Sequence, residues 1–309
     1  MAGASGFLGS RLAERLRADG HQVVRLVRRR ATGADELSWH PAEGLEPAAV
    51  AGVDAVINLA GSPVGTNLGP LKLPVRIWTS RYREQFRASR VDTTTALATA
   101  IAAADRRPAV FLAASSVGWY GDTGETEVDE HAPPGEGYLA DVARVWEAAT
   151  GPAERAGVRV VRLRTGFPLY RDGGLLGPMI LPFQLGLGGR IGSGRQWQPW
   201  ISMVDWLEAA VFLLHRDDIA GPVNMVGPAP VRSIELTRAL ARELHRPAVL
   251  PIPGPLLRLL LNEFGTDVLV SKRVVPDVLQ RAGFSFIHTD VRSAIRAALT
   301  APAALRTPR

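Results

Sequence analysis

Ala2-Gly3-Ala4-Ser5-Gly6-Phe7-Leu8-Gly9 opens the chain and runs straight into Ser10-Arg11-Leu12-Ala13-Glu14-Arg15-Leu16-Arg17-Ala18-Asp19. Glycines recur at 3, 6 and 9, then Leu8, Leu12 and Leu16 recur at helical spacing with arginines opposite them. This pattern predicts a glycine-rich turn opening an amphipathic helix. Such a turn presents unpaired backbone N–H groups, and the helix dipole favours a phosphate in front of them. Side chains at the glycine positions would block a pyrophosphate or hold the helix away from its sheet. Gly3, Ser5, Gly6, Phe7, Leu8 and Gly9 are therefore the candidate contacts of a dinucleotide.

Gly20-His21 and the β-branched run Val23-Val24-Arg25-Leu26-Val27 follow the helix, as in a βαβ unit. Only Met1 and Ala2 precede Gly3, whereas the first strand of a Rossmann fold needs about five or six apolar residues. That strand belongs in the middle of the sheet. The expectation is a truncated first strand, with the native N-terminus upstream of Met1.

The second strand ends in Arg28-Arg29-Arg30, with no acid before Asp35. An acid here binds a ribose 2′-hydroxyl and an arginine accommodates a 2′-phosphate, so Arg28 and Arg29 predict NADP(H) over NAD(H). Glu36–Trp39 reads as a short strand and Val53–Gly61 as a buried one ending in Asn58-Leu59-Ala60-Gly61. Small residues at that strand end let a cofactor pass close to backbone, which makes Leu59, Ala60 and Gly61 further candidate contacts. A long helix is predicted from Ser80 to Ala104. Ala109–Ala114 is another buried strand, running into Ser115-Ser116-Val117-Gly118-Trp119-Tyr120-Gly121. Strands alternating with helices in this way imply an α/β fold with a Rossmann-type, doubly wound parallel sheet.

Composition narrows the function classes. The chain has 309 residues, 46% hydrophobic and 21% charged, as expected for a globular protein with a substantial core. No apolar run reaches the ~18 residues of a membrane span, and the N-terminus has no secretory h-region, so the cytoplasm is the expected compartment. The absence of cysteine excludes disulfides, thiolate metal sites and cysteine nucleophiles. The net charge of +6 invites a nucleic-acid reading. Yet the basic residues are almost all arginine, only Lys72 and Lys272 being lysine, and they are spread along the chain without interleaved aromatics. No nucleic-acid or membrane partner is expected. The six histidines show no paired spacing, and no metal is expected.

The chain resembles extended short-chain dehydrogenase/reductases, and more narrowly the atypical epimerase-family proteins related to nucleotide-sugar epimerases. The segments that carry the resemblance are Gly3-x-x-Gly6-x-x-Gly9, Asn58-Leu-Ala-Gly61, Ser89-Arg90-Val91, Ser115-Ser-Val-Gly-Trp-Tyr-Gly-Asp122 and Tyr138–Val142 followed by Trp146-Glu147. Further on come Arg162–Gly166, Gly192–Trp197 with Trp200-Ile201, Gly221-Pro-Val-Asn224, Arg273–Pro276 and Ala282-Gly283-Phe284, the last within a stretch similar to the group's small C-terminal domain of unknown function. The resemblance implies hydride transfer with a nicotinamide. A serine orients the substrate oxygen, and a tyrosine exchanges the proton with a lysine four residues on to lower its pKa. Ser116 falls at the serine position and Tyr138 is the tyrosine candidate, with Ser115 beside the cofactor. No lysine follows any tyrosine at that spacing: after Tyr82, Tyr120, Tyr138 and Tyr170 stand Phe86, Gly124, Val142 and Gly174. A tyrosine without such a cation is a poor base near neutral pH.

Asp122, Glu125, Glu127, Asp129 and Glu130 form an acidic loop, read as solvated. Residues 166–202 are rich in Gly, Pro and Trp, the composition of substrate-binding loops beyond a rigid sheet. Arg195 beside Trp197 offers an anion-binding fork next to an aromatic wall, while the tryptophans read more simply as fasteners. Helices are expected at 205–214, 234–244 and 255–263, the last building the smaller C-terminal part together with Val249–Ile252. The predicted organisation is an NADP(H)-binding domain at 1–165, a smaller substrate lobe at 166–300 sharing some sheet elements, and a tail at 301–309. The expected activity is NADP(H)-dependent hydride transfer on a polar or nucleotide-linked small molecule, by a monomer or homodimer. The alternative is a regulatory or scaffold protein that binds NADPH without turnover.

Overall fold

A computed structural model describes residues 1–63, 78–255 and 269–301. The apolar stripe of the opening helix is the reason for its place: α1 (Phe7–Ala18) buries Leu12, Ala13 and Leu16. Two short strands follow, β1 (Arg25–Val27) and β2 (Glu36–Ser38), paired in parallel. The third, β3 (Ala55–Asn58), leads across to α2 (Ser80–Ala103), whose first turn is capped by the Thr79 hydroxyl accepting from the Tyr82 N–H. Then come β4 (Val110–Ser116), a 3₁₀ turn at Val117–Tyr120, β5 (Glu127–Val128), α3 (Tyr138–Ala148), α4 (Gly151–Arg155) and β6 (Arg159–Thr165).

β3, β4 and β6 pair in parallel, and β11 (Gly221–Met225) adds the far edge. Ala2 joins this four-stranded sheet to β1, bridging Leu26 on one side and Asn58 on the other, both in parallel. The spatial order is therefore β2-β1-Ala2-β3-β4-β6-β11. Ala2 takes the central position expected of the first strand and makes both bridges: its N–H donates to the Ile57 carbonyl and its carbonyl accepts from the Leu59 N–H. Helices cover both faces. On one side α1 packs with α6 (Met203–Leu214) through Leu12, Leu16, Trp206, Ala209 and Leu213 against Leu112, Val161 and Leu163. On the other, Leu97 and Ile101 of α2 cover Phe111, Ala113 and Val160.

The chain's second half starts as a lobe beside the sheet. It contains β7 (Phe167–Tyr170), β8 (Gly173–Gly174), α5 (Gly177–Gln184), β9 (Trp197–Gln198) and β10 (Trp200–Ser202). After α6 and β11 return to the main sheet, β12 (Val231–Arg232) and α7 (Ser233–Leu244) complete its first layer. β13 (Arg273–Val274), α8 (Asp277–Arg281) and α9 (Val291–Thr300) close the chain, α9 packing on α7 in a core of Leu236, Leu240, Ala294 and Ile295. β11 joins the main sheet and α6 packs on it, so elements from both sides of residue 165 build that sheet and its cover.

Ile252 makes a single parallel bridge to Ile191. One expectation changes. The acidic loop is not uniformly solvated, because Glu130 is buried. The expected helix at 255–263, apart from its first residue, and the tail beyond Ala301 lie outside the described residues.

Candidate functional site

The direction of the chain reverses about Ala2: β1 lies to one side and β3 to the other. Ligands of open parallel sheets bind outside the carboxyl ends of the strands at such a switch point. Gly3 sits there with φ +75°, and a Cβ on it would come within 2.5–2.6 Å of the Leu59–Ala60 backbone. A Cβ on Gly9 would stand 2.1 Å from the Gly3 carbonyl oxygen. These contacts explain two of the three glycines as close backbone approaches. Gly6 is the N-cap of α1, and no side chain caps that helix or adds an acid to its first turn. The first intrahelical bond runs from Ser10 to Gly6, so the N–H groups of Phe7, Leu8 and Gly9 are left for an anion. The turn has the shape, the donors and the dipole that a dinucleotide phosphate requires.

Around it, Asn58 accepts from the Ala60 N–H at 3.1 Å and donates to Thr94 on α2 at 2.9 Å. The Ser62 N–H donates to Ser89. The loop 58–62 is thus held by α2 in the form that receives Gly3. The two arginines of the second strand end part company. Arg29 makes a two-pronged ion pair with Glu36 at 2.6 and 2.7 Å, which pulls that carboxylate down to about 2. Arg28 is exposed and has no acidic partner among the described residues.

Strand alternation sends Ser115 and Ser116 to opposite faces. Ser116 lies on the α1–α6 side opposite Thr165, half-exposed, its hydroxyl accepting from the Gly118 N–H at 3.0 Å. Ser115 is buried toward α3 and donates to Glu147 at 2.6 Å. Its hydroxyl is engaged there, so only its backbone faces the strand end. Tyr138 opens α3, half-buried against Trp78 and Phe86, and its hydroxyl donates to the Arg83 carbonyl at 2.6 Å.

Most of the remaining strand-end polar residues belong to one buried network. Arg164 on β6 forks onto Glu147 at 2.8 and 3.0 Å, donates to the Tyr120 hydroxyl at 3.0 Å and the Glu130 carbonyl at 3.2 Å, and stacks over Trp119. Burial works against the Arg164 cation, but Glu147 and Tyr120 outweigh it and leave the guanidinium more basic than usual. Tyr120 donates onward to Asn224 at 2.7 Å. Burial pushes its hydroxyl up to about 12, which Arg164 offsets only in part. Tyr120 therefore has an arginine beside it but is no acid–base group near neutral pH. The Glu130 carboxylate accepts from the Asn224 N–H at 2.8 Å and is held above its usual range by burial. That is why the acidic loop buries one member: Glu130 ties it to β11.

Arg195 and Trp197 belong to a different cluster. The Trp197 indole donates to Glu125 at 3.2 Å, and Arg232 and Arg273 stack on its ring with guanidinium carbons 4.0 and 4.9 Å from the centroid. Arg232 forks onto Glu125, whose carboxyl falls to about 2. Arg195 is exposed, and its carbonyl accepts from Arg232. The arginine faces solvent as an anion site requires, whereas the tryptophan is a fastener already occupied by cations. Among the described residues, Asp129, His131 and Asp277 bring metal-capable atoms within 4.8 Å of one another. Asp129 already accepts from the His131 N–H, and Asp277 faces Arg281.

Residues 1–226 match the NAD dependent epimerase/dehydratase family, and residues 252–298 match a domain of unknown function, DUF1731. The chain belongs to the NAD dependent epimerase/dehydratase family. Among its relatives, an epimerase family protein of Mycobacterium leprae is 41% identical over 98% of this chain and 95% of its own. The bovine epimerase family protein SDR39U1 is 33% identical over 96% and 97%. The crystal structure of human SDR39U1 with NADPH superposes with a TM-score of 0.87 at 30% identity, over 97% of this chain and 98% of that one. A nucleoside-diphosphate sugar epimerase from Corynebacterium glutamicum does so at 0.77 and 30%, over 96% of this chain and 57% of that one. This epimerase-family protein therefore has the Rossmann-like α/β fold and the NAD(P)-binding architecture its opening turn implied. Among its described residues no helix is long and apolar enough to cross a membrane.

Proposed function

We propose that the protein binds NADP(H) along the Gly3–Gly9 turn and uses it for hydride transfer to or from a polar, nucleotide-linked small molecule. The observation that carries the reading is the switch-point geometry: a turn closed against Leu59–Ala60, open N–H groups on α1, and Arg28 without an acid at the adjoining strand end. Arg28 holds the 2′-phosphate, and the N–H groups of Phe7, Leu8 and Gly9 hold the pyrophosphate. When bound, the nicotinamide gives or takes the hydride. Ser116 positions a substrate oxygen from the exposed strand end, Tyr138 is the proton-exchange candidate, and Arg195 is the candidate contact for a substrate anion. NADPH in human SDR39U1 and the nucleoside-diphosphate sugar epimerase named above support cofactor and substrate class respectively.

The test is absorbance at 340 nm after NADPH-loaded protein is mixed with a panel of nucleotide sugars and small carbonyl compounds. Oxidation with a panel member, slowed by Ser116→Ala, is the expected result. A second reading has its own observation: Tyr138 has Val142 where a lysine would stand, and its hydroxyl donates to a backbone carbonyl. It holds that the protein binds NADPH as a regulator or scaffold. Tight NADPH binding with no oxidation across the panel would favour it.

A further inference from the structure

Two arginines are buried among the described residues, Arg90 and Arg164. Arg164 has the Glu147 carboxylate. Arg90 has none: Nη1 donates to the Phe86 carbonyl at 3.1 Å and Nη2 to the Ser62 carbonyl at 3.0 Å, with the Ser89 hydroxyl at 3.5 Å. Its guanidinium lies 3.5 Å over the Phe86 ring and 5.1 Å from that of Trp146. Carbonyl dipoles and aromatic faces solvate a cation in part, but they leave its charge uncancelled, and burying such a charge is costly. Burial draws Arg90 down to about 10, which keeps it protonated at neutral pH.

Its position gives that charge a use. The guanidinium lies directly beneath Gly61, where a Cβ would stand 3.3 Å from Cζ. Gly61 is exposed, and it continues the loop whose Leu59 and Ala60 abut Gly3 at the switch point. A group laid on the bare Gly61 backbone is close to a cation with N–H donors still in hand, in the planar fork that suits a phosphate. We infer that Arg90 receives a phosphoryl group seated on the Gly61–Ser62 loop. This inference rests on the nucleotide-binding reading above, and the phosphoryl group comes either from the cofactor or from a nucleotide-linked substrate.

Full-length wild type, Arg90→Lys and Arg90→Met are compared by calorimetric titration with NADPH and with UDP, the latter added to protein alone and to NADPH-saturated protein. Melting in inorganic phosphate against chloride at equal ionic strength is the second measurement. Loss of a charged, partly desolvated hydrogen bond weakens binding by about tenfold or more. If Arg90→Met weakens UDP by that factor and leaves NADPH within about twofold, the phosphate belongs to the substrate; the reverse pattern assigns it to the cofactor. Arg90→Lys, which keeps the charge and loses the fork, falls between. If Arg90→Met does not fold, Arg90→Lys must still lose part of the phosphate-dependent rise in Tm that the wild type shows. Unchanged affinities in folded variants, or a wild type that responds to none of the three probes, would overturn the inference. Failure of NADPH alone, with Arg90-dependent UDP or phosphate binding retained, would remove the cofactor reading and leave this one.

Discussion

Gly9 shows how one residue decides local structure here. A methyl group in its place meets a backbone oxygen at 2.1 Å, and backbone has no rotamer to move aside. Gly9→Ala is expected to cost about 1–3 kcal/mol of stability and to weaken NADPH by tenfold or more, read by melting and fluorescence titration. The Arg164–Glu147 pair makes the opposite case, of a charge retained inside. Glu147→Gln or Arg164→Met leaves a buried ion uncompensated and should cost about 3–5 kcal/mol, whereas Glu147→Leu with Arg164→Met should recover part of it. Denaturant melts of all three measure this, and additive losses in the double variant would show that the pair is not coupled. These residues also mark what the sequence could and could not disclose. Tyr120, Glu147, Arg164 and Asn224 all lie in segments that carry the family resemblance, which invites a substrate role, yet the fold turns them toward one another. The available signal was chemical: of the two arginines in the apolar run Val160-Val-Arg-Leu-Arg164, one that is buried needs a partner from elsewhere, and Arg164 is that one.

Among elements, those with a clear period were legible and those held by tertiary contacts were not. α1 follows from apolar spacing, and β3 and β4 from short buried apolar runs. β5, β9, β12 and β13 are two-residue strands with no pattern of their own, existing only because Glu130, Trp197 and Ser271 fasten the loops that carry them. The α7–α9 contact is fastened from outside as well. Glu243 accepts from Arg292 at 2.7 Å and from Arg296 at 3.0 Å, bonds that hold its carboxyl near 2. A carboxyl depressed on folding contributes stability above its unfolded pKa, near 4.5, and loses it as pH falls toward 2. Glu243→Gln should therefore lower Tm at pH 7 by an amount equivalent to about 0.5 kcal/mol, since both arginines are solvent-exposed. The gap from wild type should close between pH 4.5 and 2. A gap that persists at the acid end would assign the loss to packing.

For the whole molecule, the reversal of strand order about Ala2 brings the glycine turn, the Leu59–Gly61 loop, Arg28 and Ser116 to the carboxyl edge of one sheet. The glycine turn was legible from its spacing, because its physics is local to a turn and a helix. The substrate side was less legible, because Arg195, Trp197 and Tyr138 take their surroundings from segments far away in sequence. The most direct test of the account is a fluorescence titration of the wild type and Arg28→Ala with NADPH and NADH. The wild type should bind NADPH at least about tenfold more tightly than NADH, and Arg28→Ala should remove most of that preference by weakening NADPH alone. Equal affinities in the wild type, or a preference that survives Arg28→Ala intact, would contradict it.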